Sequence, residues 1–362
     1  MRPTQSMVRE ILTHFAIDGE LLSLKLHTEG HINTTFFSTF EYEGIPYRYT
    51  HQRINTEAFK DPVALMKNIC AVTGHIRSKL EGYSDIDRRV LTVVLTKSGE
   101  PLFKDSQGGY WRTYRYIDHV HTYNTIENEE QAYLFGEAVG TFQLQLADFD
   151  GSSLSDTIPR FHDMRLRYEQ LFLAIRTNYH GRLAAVSDEL AFFEENKRRG
   201  CVLSDALSEG RLPLRVTHND TKVNNVLFSL DGSEALCIID LDTVMPGSSL
   251  FDTGDMIRTG SNTAEEDTTD LDRVDCAVEI HRALLSGYRS NATFLTTLEE
   301  ELLVESGRTI TQIMAVRFLT DYLNGDVYYH TEREDHNRDR ARTQIALMKA
   351  MDKRWTELIK GA

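Results

Sequence analysis

The sequence of 362 residues contains few cysteines and prolines and no long hydrophobic run. None of the spacings between its four cysteines is typical of a metal site, so we expect reduced thiols in a cytoplasmic protein. The seven prolines and a hydrophobic content of 41% are typical of a globular chain rather than a disordered one. No segment approaches the roughly 20 apolar residues of a membrane span, and the polar residues 1–10 lack the apolar core of a signal peptide.

Positive charge is also scarce, because 40 Lys and Arg residues are outnumbered by 55 Asp and Glu residues, which gives a net charge of −15. Nucleic acids and anionic membranes attract basic proteins, so neither is expected as a main partner. The acidic balance is compatible with a cationic substrate, although a well-solvated surface explains it more simply. The composition leaves the oligomeric state open.

Polar residues suited to phosphoryl transfer lie beside short apolar segments in the second half of the chain. Residues 216–228 form two apolar runs around a polar loop that contains Asp220 and Asn225, and a later apolar run ends in Asp240. Phosphoryl transfer needs an aligned hydroxyl and neutralised phosphate charge more than covalent catalysis. A carboxylate can accept the proton of that hydroxyl, and oxygen ligands from Asp and Asn suit Mg²⁺. An ordinary Asn- and Asp-rich turn is the alternative explanation.

The order of these residues resembles the catalytic loop of the protein-kinase-like fold and the acidic strand end that follows it. The resemblance implies that ATP donates the phosphate and that Asp220 accepts the proton of the attacking hydroxyl. It also implies that Asn225 and Asp240 hold Mg²⁺, with Asp242 as a neighbouring or substitute ligand.

Three separated segments are similar to the N-acetylhexosamine 1-kinases of the aminoglycoside phosphotransferase-like superfamily. The segments are 29–35, 217–258 and 317–326. The similarity implies ATP-dependent phosphorylation of the anomeric hydroxyl of N-acetylglucosamine or N-acetylgalactosamine. It also implies that His31, Asp220 and Arg317 bind this small sugar, although a surface histidine and a structural salt bridge are the ordinary explanations for His31 and Arg317.

Two further residues are expected to support the catalytic loop. Asp255 follows Pro246 and Gly247 near the start of a predicted helix, where acids are favourable for capping alone. In the superfamily an acid at this place often braces the catalytic loop, so the resemblance assigns that role to Asp255. His218 is assigned to the same supporting group from within the loop.

The expected phosphate-binding loop is the segment 29–35, which contains one glycine where protein kinases have several. The backbone at Gly30 and the side chains of Asn33 and Thr34 can donate hydrogen bonds to phosphate oxygens. An ordinary hairpin is the alternative.

The lysine that kinases usually carry on the third strand is absent, and Gln52 and Arg53 occupy the expected place. Arg53 is a candidate for the missing positive charge, although strand alternation directs it away from Gln52. Tyr116 and Ile117 lie in the predicted linker between lobes, where backbone groups of a kinase bind adenine.

The hydrophobic pattern changes near residue 120, which predicts two lobes, 1–118 and 119–362. The first is expected to contain a helix from Asp61 and five strands, at 21–27, 35–42, 45–51, 90–96 and 111–117. The second is expected to contain helices at 129–146, 164–179, 188–197, 272–288, 299–322 and 337–359. We therefore predict an α+β, two-lobed protein-kinase-like fold with an antiparallel N-terminal sheet and a mainly helical C-terminal lobe.

Other functions fit parts of this pattern. Asp240-Leu241-Asp242 matches the D-x-D motif of metal-dependent glycosyltransferases, but those enzymes have an α/β nucleotide-sugar domain before the motif. An inactive nucleotide-binding module is opposed by the complete set of Asp220, Asn225 and Asp240. Among kinases, phosphorylation of homoserine, choline or an aminoglycoside remains open.

Overall fold

The computed structural model describes residues 3–28 and 32–360 of the chain. Within these ranges the strands are β1 (Glu20–His27), β2 (Thr34–Tyr42), β3 (Ile45–Arg53), β4 (Val93–Val94), β5 (Phe103–Lys104), β6 (Tyr110–Arg115), β7 (Val120–His121), β8 (Arg215–Thr217), β9 (Val226–Ser229), β10 (Ala235–Ile238) and β11 (Met245–Gly247). The helices of the same ranges are α1 (Gln5–Leu12), α2 (Pro62–Lys79), α3 (Ile86–Arg89), α4 (Glu129–Gln145), α5 (Met164–Thr177), α6 (Ser187–Gly200), α7 (Val202–Ser208), α8 (Ser249–Gly260), α9 (Val278–Asn291), α10 (Thr297–Glu301), α11 (Leu303–Leu323), α12 (His336–Lys353) and α13 (Trp355–Lys360). The predicted α+β class is confirmed.

The chain forms two compact units, each built from more than one segment. The first unit runs to His121 and also includes Ser153–Ile158 and Leu227–Met245. The second comprises Thr122–Ser152, Pro159–Val226 and the chain from Pro246 onward. The predicted boundary after residue 118 lies close to the first division, but it did not include the return of 227–245 to the first unit.

An antiparallel sheet in the order β1-β2-β3-β6-β4 forms the centre of the first unit, and β5 also pairs with β6. Strands β2 and β3, which correspond to the strands predicted at 35–42 and 45–51, form a hairpin with Tyr42 opposite Ile45. The two turn residues, Glu43 and Gly44, have φ values of 53° and 78°, as a two-residue turn of type I′ requires. A smaller sheet in the order β10-β9-β7 also belongs to this unit.

Helix α1 was not predicted from the sequence, and it covers the large sheet. Its apolar residues join a buried cluster with sheet residues and with the segment that follows the helix. The cluster consists of Val8, Ile11, Leu12, Phe15, Leu24, Phe36, Phe40 and Trp111. Thr4 caps the helix by accepting a hydrogen bond from the Met7 amide at 3.3 Å.

Several predicted elements have different bounds in the structure. The strand predicted at 90–96 is only the short β4, and β5, which was not predicted, follows it before β6. The helix predicted at 272–288 begins at Val278, after a separate 3-10 turn at Leu271–Arg273. Helices predicted at 299–322 and 337–359 are each divided in two, because the chain breaks helical geometry at Leu302 and Arg354. Helix α2 begins as predicted, since Asp61 accepts hydrogen bonds from the Val63 and Ala64 amides at 3.1 and 2.9 Å.

The second unit is mainly helical and is organised around α11. This helix is buried on nearly all sides and contacts α5, α8 and α12. The backbones of helices α4 and α9 are in close contact at Gly136. A Cβ added to this glycine would lie 2.0 Å from the Leu284 carbonyl oxygen. Strands β8 and β11 pair as a two-stranded sheet. No helix in the described ranges has the length and apolar character needed to cross a bilayer.

Candidate active site

The predicted catalytic loop connects β8 to β9 through a 3-10 turn at Val223–Asn225. Thr217, His218 and Asn219 are buried, whereas the side chain of Asp220 retains 28% of its accessible surface. Asn219 has a φ of 66°, a left-handed conformation that asparagine tolerates better than most residues. The buried part of the loop thus turns the chain and presents the Asp220 carboxylate at its edge.

Asp252, in the first turn of α8, holds this loop from the buried side. Its Oδ1 accepts a hydrogen bond from the Asn219 amide at 2.7 Å, and its Oδ2 accepts one from the His218 amide at 3.0 Å. Oδ2 also accepts from Gln143 Nε2 at 3.0 Å, and the Asp252 carbonyl accepts from Thr221 Oγ1 at 2.6 Å. Burial raises the pKa of Asp252, while these donors favour its ionised form. Sequence analysis did not select this residue.

Asp255, which was predicted to brace the loop, lies one turn further along α8 in a different contact. Its Oδ1 is 2.8 Å from both Nε and Nη2 of Arg258, and Arg258 Nη1 is 2.7 Å from Glu266 Oε1. Burial raises the pKa of Asp255, Arg258 opposes this effect, and the charge of Asp220 adds to it. Its link to the loop is therefore electrostatic, and its supporting role stays a prediction. His218 Nδ1 accepts a hydrogen bond from the Asp220 amide at 3.2 Å, and the supporting role of His218 also stays a prediction.

Asp220 is paired with Lys222, which sequence analysis also missed. Lys222 Nζ lies 2.8 Å from Asp220 Oδ1 and 3.1 Å from Oδ2. Burial raises the pKa of Asp220, but the charge and hydrogen bond of Lys222, together with other positive charge nearby, lower it by more, so that the pKa lies below its ordinary value. Asn225 Nδ2 donates to the Asp220 carbonyl at 2.8 Å and to Oδ2 at 3.2 Å. The carboxylate is thus ionised at neutral pH and is oriented by both neighbours.

The two acids of the D-x-D sequence have different surroundings within the first unit. Asp240 is exposed and has a φ of 61°, whereas Asp242 is buried in the 3-10 turn Leu241–Thr243. Arg112 Nη1 lies 2.5 Å from Asp242 Oδ1, and Asn33 Nδ2 donates to Asp242 Oδ2 at 2.7 Å. Both oxygens of Asp242 are therefore engaged by protein groups, which favours Asp240 as the carboxylate that is accessible to a cation.

Magnesium needs few protein ligands when it also binds phosphate oxygens. In the described ranges, no group of three His, Cys, Asp or Glu residues is arranged to hold a metal by itself. The exposed Asp240 carboxylate of the first unit and the amide oxygen of Asn225 in the second unit are each hard donors of the kind that Mg²⁺ prefers, so the chemistry of each residue fits a magnesium ligand.

The predicted phosphate loop is described only in part, because Gly30 and His31 lie outside the described residues. Asn33 donates to Asp242, and its Oδ1 accepts from the Asn55 amide at 2.9 Å. Thr34 lies opposite Arg53 in the register of β2 and β3. Asn33 therefore contacts Asp242 in the turn formed by residues 240–243, here called the acidic turn. The sequence analysis did not predict this contact.

Gln52 and Arg53 point to opposite faces of β3, as strand alternation requires. Gln52 Oε1 accepts from Arg112 Nε at 2.9 Å and from Nη2 at 2.7 Å, and Gln52 Nε2 donates to Thr35 Oγ1 at 3.2 Å. The Arg53 side chain lies against Gly109, where an added Cβ would be 2.5 Å from Arg53 Nε. The cation on the Gln52 face is thus Arg112 rather than Arg53.

Tyr116 and Ile117 follow β6 in the first unit. The Tyr116 amide donates to the Arg48 carbonyl at 2.9 Å, and the guanidinium of Arg48 lies 3.9 Å from the centre of the Tyr116 ring. Ile117 is buried. These contacts anchor the start of the linker, and adenine binding there stays a prediction.

Arg317 lies on α11 in the second unit, half-buried among aromatic rings. Its guanidinium carbon is 4.6 Å from the ring centre of Phe161, 5.5 Å from that of Tyr329 and 5.7 Å from that of Tyr328. Asp321 fixes the two tyrosines by accepting hydrogen bonds from their backbone amides at 2.9 and 3.0 Å. The rings and the cation form one preorganised surface.

His162 links this surface to the catalytic loop. Its Nε2 is 3.2 Å from the Asn219 carbonyl oxygen, so Nε2 carries the proton and donates. Burial, together with the charges of Arg317 and Arg167, lowers the pKa of His162 to about 3. Burial and Arg317 also lower the pKa of Arg167 to about 10. His162 therefore donates to the loop as a neutral imidazole at physiological pH.

Comparison with known proteins gives a consistent result. The model of the phosphotransferase enzyme family matches residues 91–289, which is more than half of the chain. A microcompartment-associated aminopropanol kinase is similar in structure, with a TM-score of 0.63, 14% identity and coverage of 98% of both chains. Choline kinase from Cryptosporidium parvum has a TM-score of 0.56 and 14% identity, and the alignment covers 98% of this chain and 97% of that one. Spectinomycin phosphotransferase in complex with ADP and spectinomycin has a TM-score of 0.54 and 16% identity, with 95% and 98% covered. The predicted kinase-like fold is confirmed.

Proposed function

The chain belongs to the phosphotransferase enzyme family, and within that family we propose that it transfers the γ-phosphate of ATP to the anomeric hydroxyl of an N-acetylhexosamine. The coarser conclusion, a small-molecule phosphotransferase, follows from the family and from the fold shared with small-molecule kinases. ATP as donor is supported by the ADP bound to the similar spectinomycin phosphotransferase. The sugar is the finer part of the proposal.

In the proposed reaction, Asp220 accepts the proton of the sugar hydroxyl as that oxygen attacks the γ-phosphate. The lowered pKa of Asp220 keeps it ionised, and Asn225 and Lys222 hold the carboxylate in one orientation. Asn225 and Asp240 would hold Mg²⁺, which supplies neutralisation of the phosphate charge. Lys222 brings a further positive charge next to the reacting carboxylate.

The observation that carries the sugar assignment is the position of Arg317. Its guanidinium covers the aromatic faces that a quaternary ammonium group would need, and like charges repel. A sugar hydroxyl or the carbonyl of an N-acetyl group can instead accept hydrogen bonds from a guanidinium. The similarity of the segments 29–35, 217–258 and 317–326 to N-acetylhexosamine 1-kinases supports the same substrate.

A second candidate is a kinase for an amino alcohol or an aminoglycoside. The specific observations in its favour are the structural likeness to aminopropanol and choline kinases and the net charge of −15. The glycosyltransferase alternative is disfavoured, because Asp242 is buried in an ion pair and the fold is that of a kinase.

The test incubates the protein with ATP, Mg²⁺ and separate samples of N-acetylglucosamine, N-acetylgalactosamine, homoserine, choline and kanamycin. Phosphorus NMR then locates the new phosphate, which we expect on the anomeric oxygen of one or both sugars. Arg317→Met should raise the KM for the sugar about tenfold or more, as expected for a lost charge-assisted hydrogen bond. Arg176→Met, which changes an exposed arginine in the same unit, is the matched control and should leave that KM unchanged. Phosphate on C6, or turnover only with an amine, would contradict the sugar assignment and leave the kinase assignment intact.

A further inference from the structure

We propose that Arg112 is a positioning residue that fixes the turn carrying Asp240, in a chain without the lysine that kinases usually carry on the third strand. The inference rests on the proposed function, because Asp240 is the carboxylate assigned there to magnesium. It gives a role to an arginine that the sequence pattern did not single out.

Arg112 is fully engaged inside the first unit. The residue lies on β6, is 1% exposed, and cannot reach solvent or a phosphate group without rearrangement. Its Nη1 pairs with Asp242 Oδ1 at 2.5 Å, while Nε and Nη2 both bind Gln52 Oε1. A buried charge is tolerated only with such partners, and the guanidinium fork can serve two of them at once. Arg112 thus connects β3 to the acidic turn.

Asp242 is held from its other side as well. Asn33 donates to Oδ2 at 2.7 Å and is itself fixed by the Asn55 amide at 2.9 Å. Asn68 Nδ2 donates to the Val244 carbonyl at 2.9 Å, just after the turn. The turn is therefore tied to β3, to α2 and to the start of β2 by side chains rather than by a regular strand pairing.

Asp240 depends on this anchoring because of its own geometry. It immediately precedes the 3-10 turn, is exposed, and has a left-handed backbone conformation with a φ of 61°. A residue with a Cβ adopts this conformation at a cost, which is smaller for aspartate than for most residues, and the contacts of the turn help to hold it. Arg112 also carries the charge that balances the buried Asp242, whereas Asp240 is exposed.

The test measures metal binding directly, with Mn²⁺ in place of Mg²⁺ and ADP as the nucleotide probe. Electron paramagnetic resonance of the full-length protein gives the Mn²⁺ dissociation constant in the presence of ADP. Arg112→Met should weaken Mn²⁺ binding by about 10-fold or more, the range found when residues that orient metal ligands are changed. The KM for the acceptor sugar should stay within about twofold of wild type, since the change leaves binding of the acceptor untouched in both the ground state and the transition state.

Arg115→Met is the matched control, because Arg115 lies on the same strand but is exposed. Its contact with an Asp87 oxygen is long, at 3.4 Å. It should bind Mn²⁺ as wild type does. If Arg112→Met does not fold by circular dichroism, Arg112→Lys replaces it. Lysine keeps the charge but cannot serve Asp242 and Gln52 together, so weaker Mn²⁺ binding is still expected.

The outcomes separate this inference from the proposed function. The inference is overturned if the wild-type protein binds Mn²⁺ in the presence of ADP and a folded Arg112→Met or Arg112→Lys protein binds it equally well. That result would leave the proposed function standing. Wild-type protein that binds no Mn²⁺ with ADP would overturn the metal assignment of Asp240 and the inference with it.

Discussion

Asp252 allows a quantitative test of how the catalytic loop is held. Its carboxylate is fully buried and accepts three hydrogen bonds, from the His218 and Asn219 amides and from Gln143. Asp252→Ala would leave three buried donors without an acceptor, each costing about 1–3 kcal/mol. Removal of a buried charge offsets part of this cost, so we expect the free energy of unfolding to fall by about 3–5 kcal/mol. That loss is a large part of a typical stability of about 5–15 kcal/mol.

Asp252→Asn should have a smaller effect of the same kind. The amide oxygen of the asparagine can still accept a hydrogen bond from one donor, but its NH₂ group would face an N–H group of the loop. We therefore expect the free energy of unfolding to fall by about 1–3 kcal/mol. Denaturant unfolding followed by circular dichroism gives both changes. Hydrogen exchange of the loop amides shows whether the loop itself has opened.

Asp231→Ala is the matched control for these variants. Asp231 also accepts several hydrogen bonds, from Ser229 and Ser233, but it does so in an exposed turn where water can replace it. Its removal should not change the unfolding midpoint measurably. An Asp252→Ala protein that unfolds within about 0.5 kcal/mol of wild type, the range of ordinary surface changes, would refute the proposed support of the loop.

Three further predictions concern Lys222, Asp240 and Gly136. Because Lys222 and other positive charge nearby together hold the pKa of Asp220 below its ordinary value of 3.8 despite burial, the ionised pair stabilises the protein above that ordinary value, and this contribution is lost as the pH falls through the lowered pKa. The acid limb of kcat/KM, which reports the free enzyme, should accordingly lie below the ordinary pKa of an Asp side chain and move upward in Lys222→Met, whereas identical pH profiles would contradict the pairing. Asp240→Ala should abolish magnesium-dependent turnover, whereas an unchanged Mg²⁺ titration would place the metal elsewhere. Gly136→Ala should destabilise the fold by about 1–3 kcal/mol, because its Cβ would meet the backbone of α9. Gly74→Ala, with nothing within 4 Å of the added Cβ, should not, and equal unfolding midpoints would show that α4 and α9 can separate.

Local patterns were sufficient for much of the fold. The β2–β3 hairpin follows from its two turn residues, and the start of α2 follows from the cap at Asp61 and the proline after it. Helix α1 was missed because it is only eight residues long and its stability comes from packing on a distant part of the sheet. The return of 227–245 to the first unit is a tertiary property that no local pattern carries.

The candidate site shows the same division between local and distant information. Asp220, Asn225 and Asp240 stand out because polar residues between apolar runs are conspicuous in a sequence. Arg112 does not, because a single arginine in a strand is usually exposed, and its partner Asp242 is far away along the chain. Sequence analysis selected Asp255 and not Asp252, because both lie in the first two turns of one helix and only packing decides which faces the loop.

The most direct test of the account is the effect of Asp220→Asn on phosphoryl transfer with the nucleotide already bound. The asparagine keeps the size of the side chain but cannot accept the proton, so kcat should fall by about 10²-fold or more. Binding of Mg²⁺ and ATP, measured by calorimetry, should remain close to wild type because the carboxylate acts on the acceptor. A folded Asp220→Asn protein with near-normal turnover would contradict the assignment of Asp220 as the catalytic base.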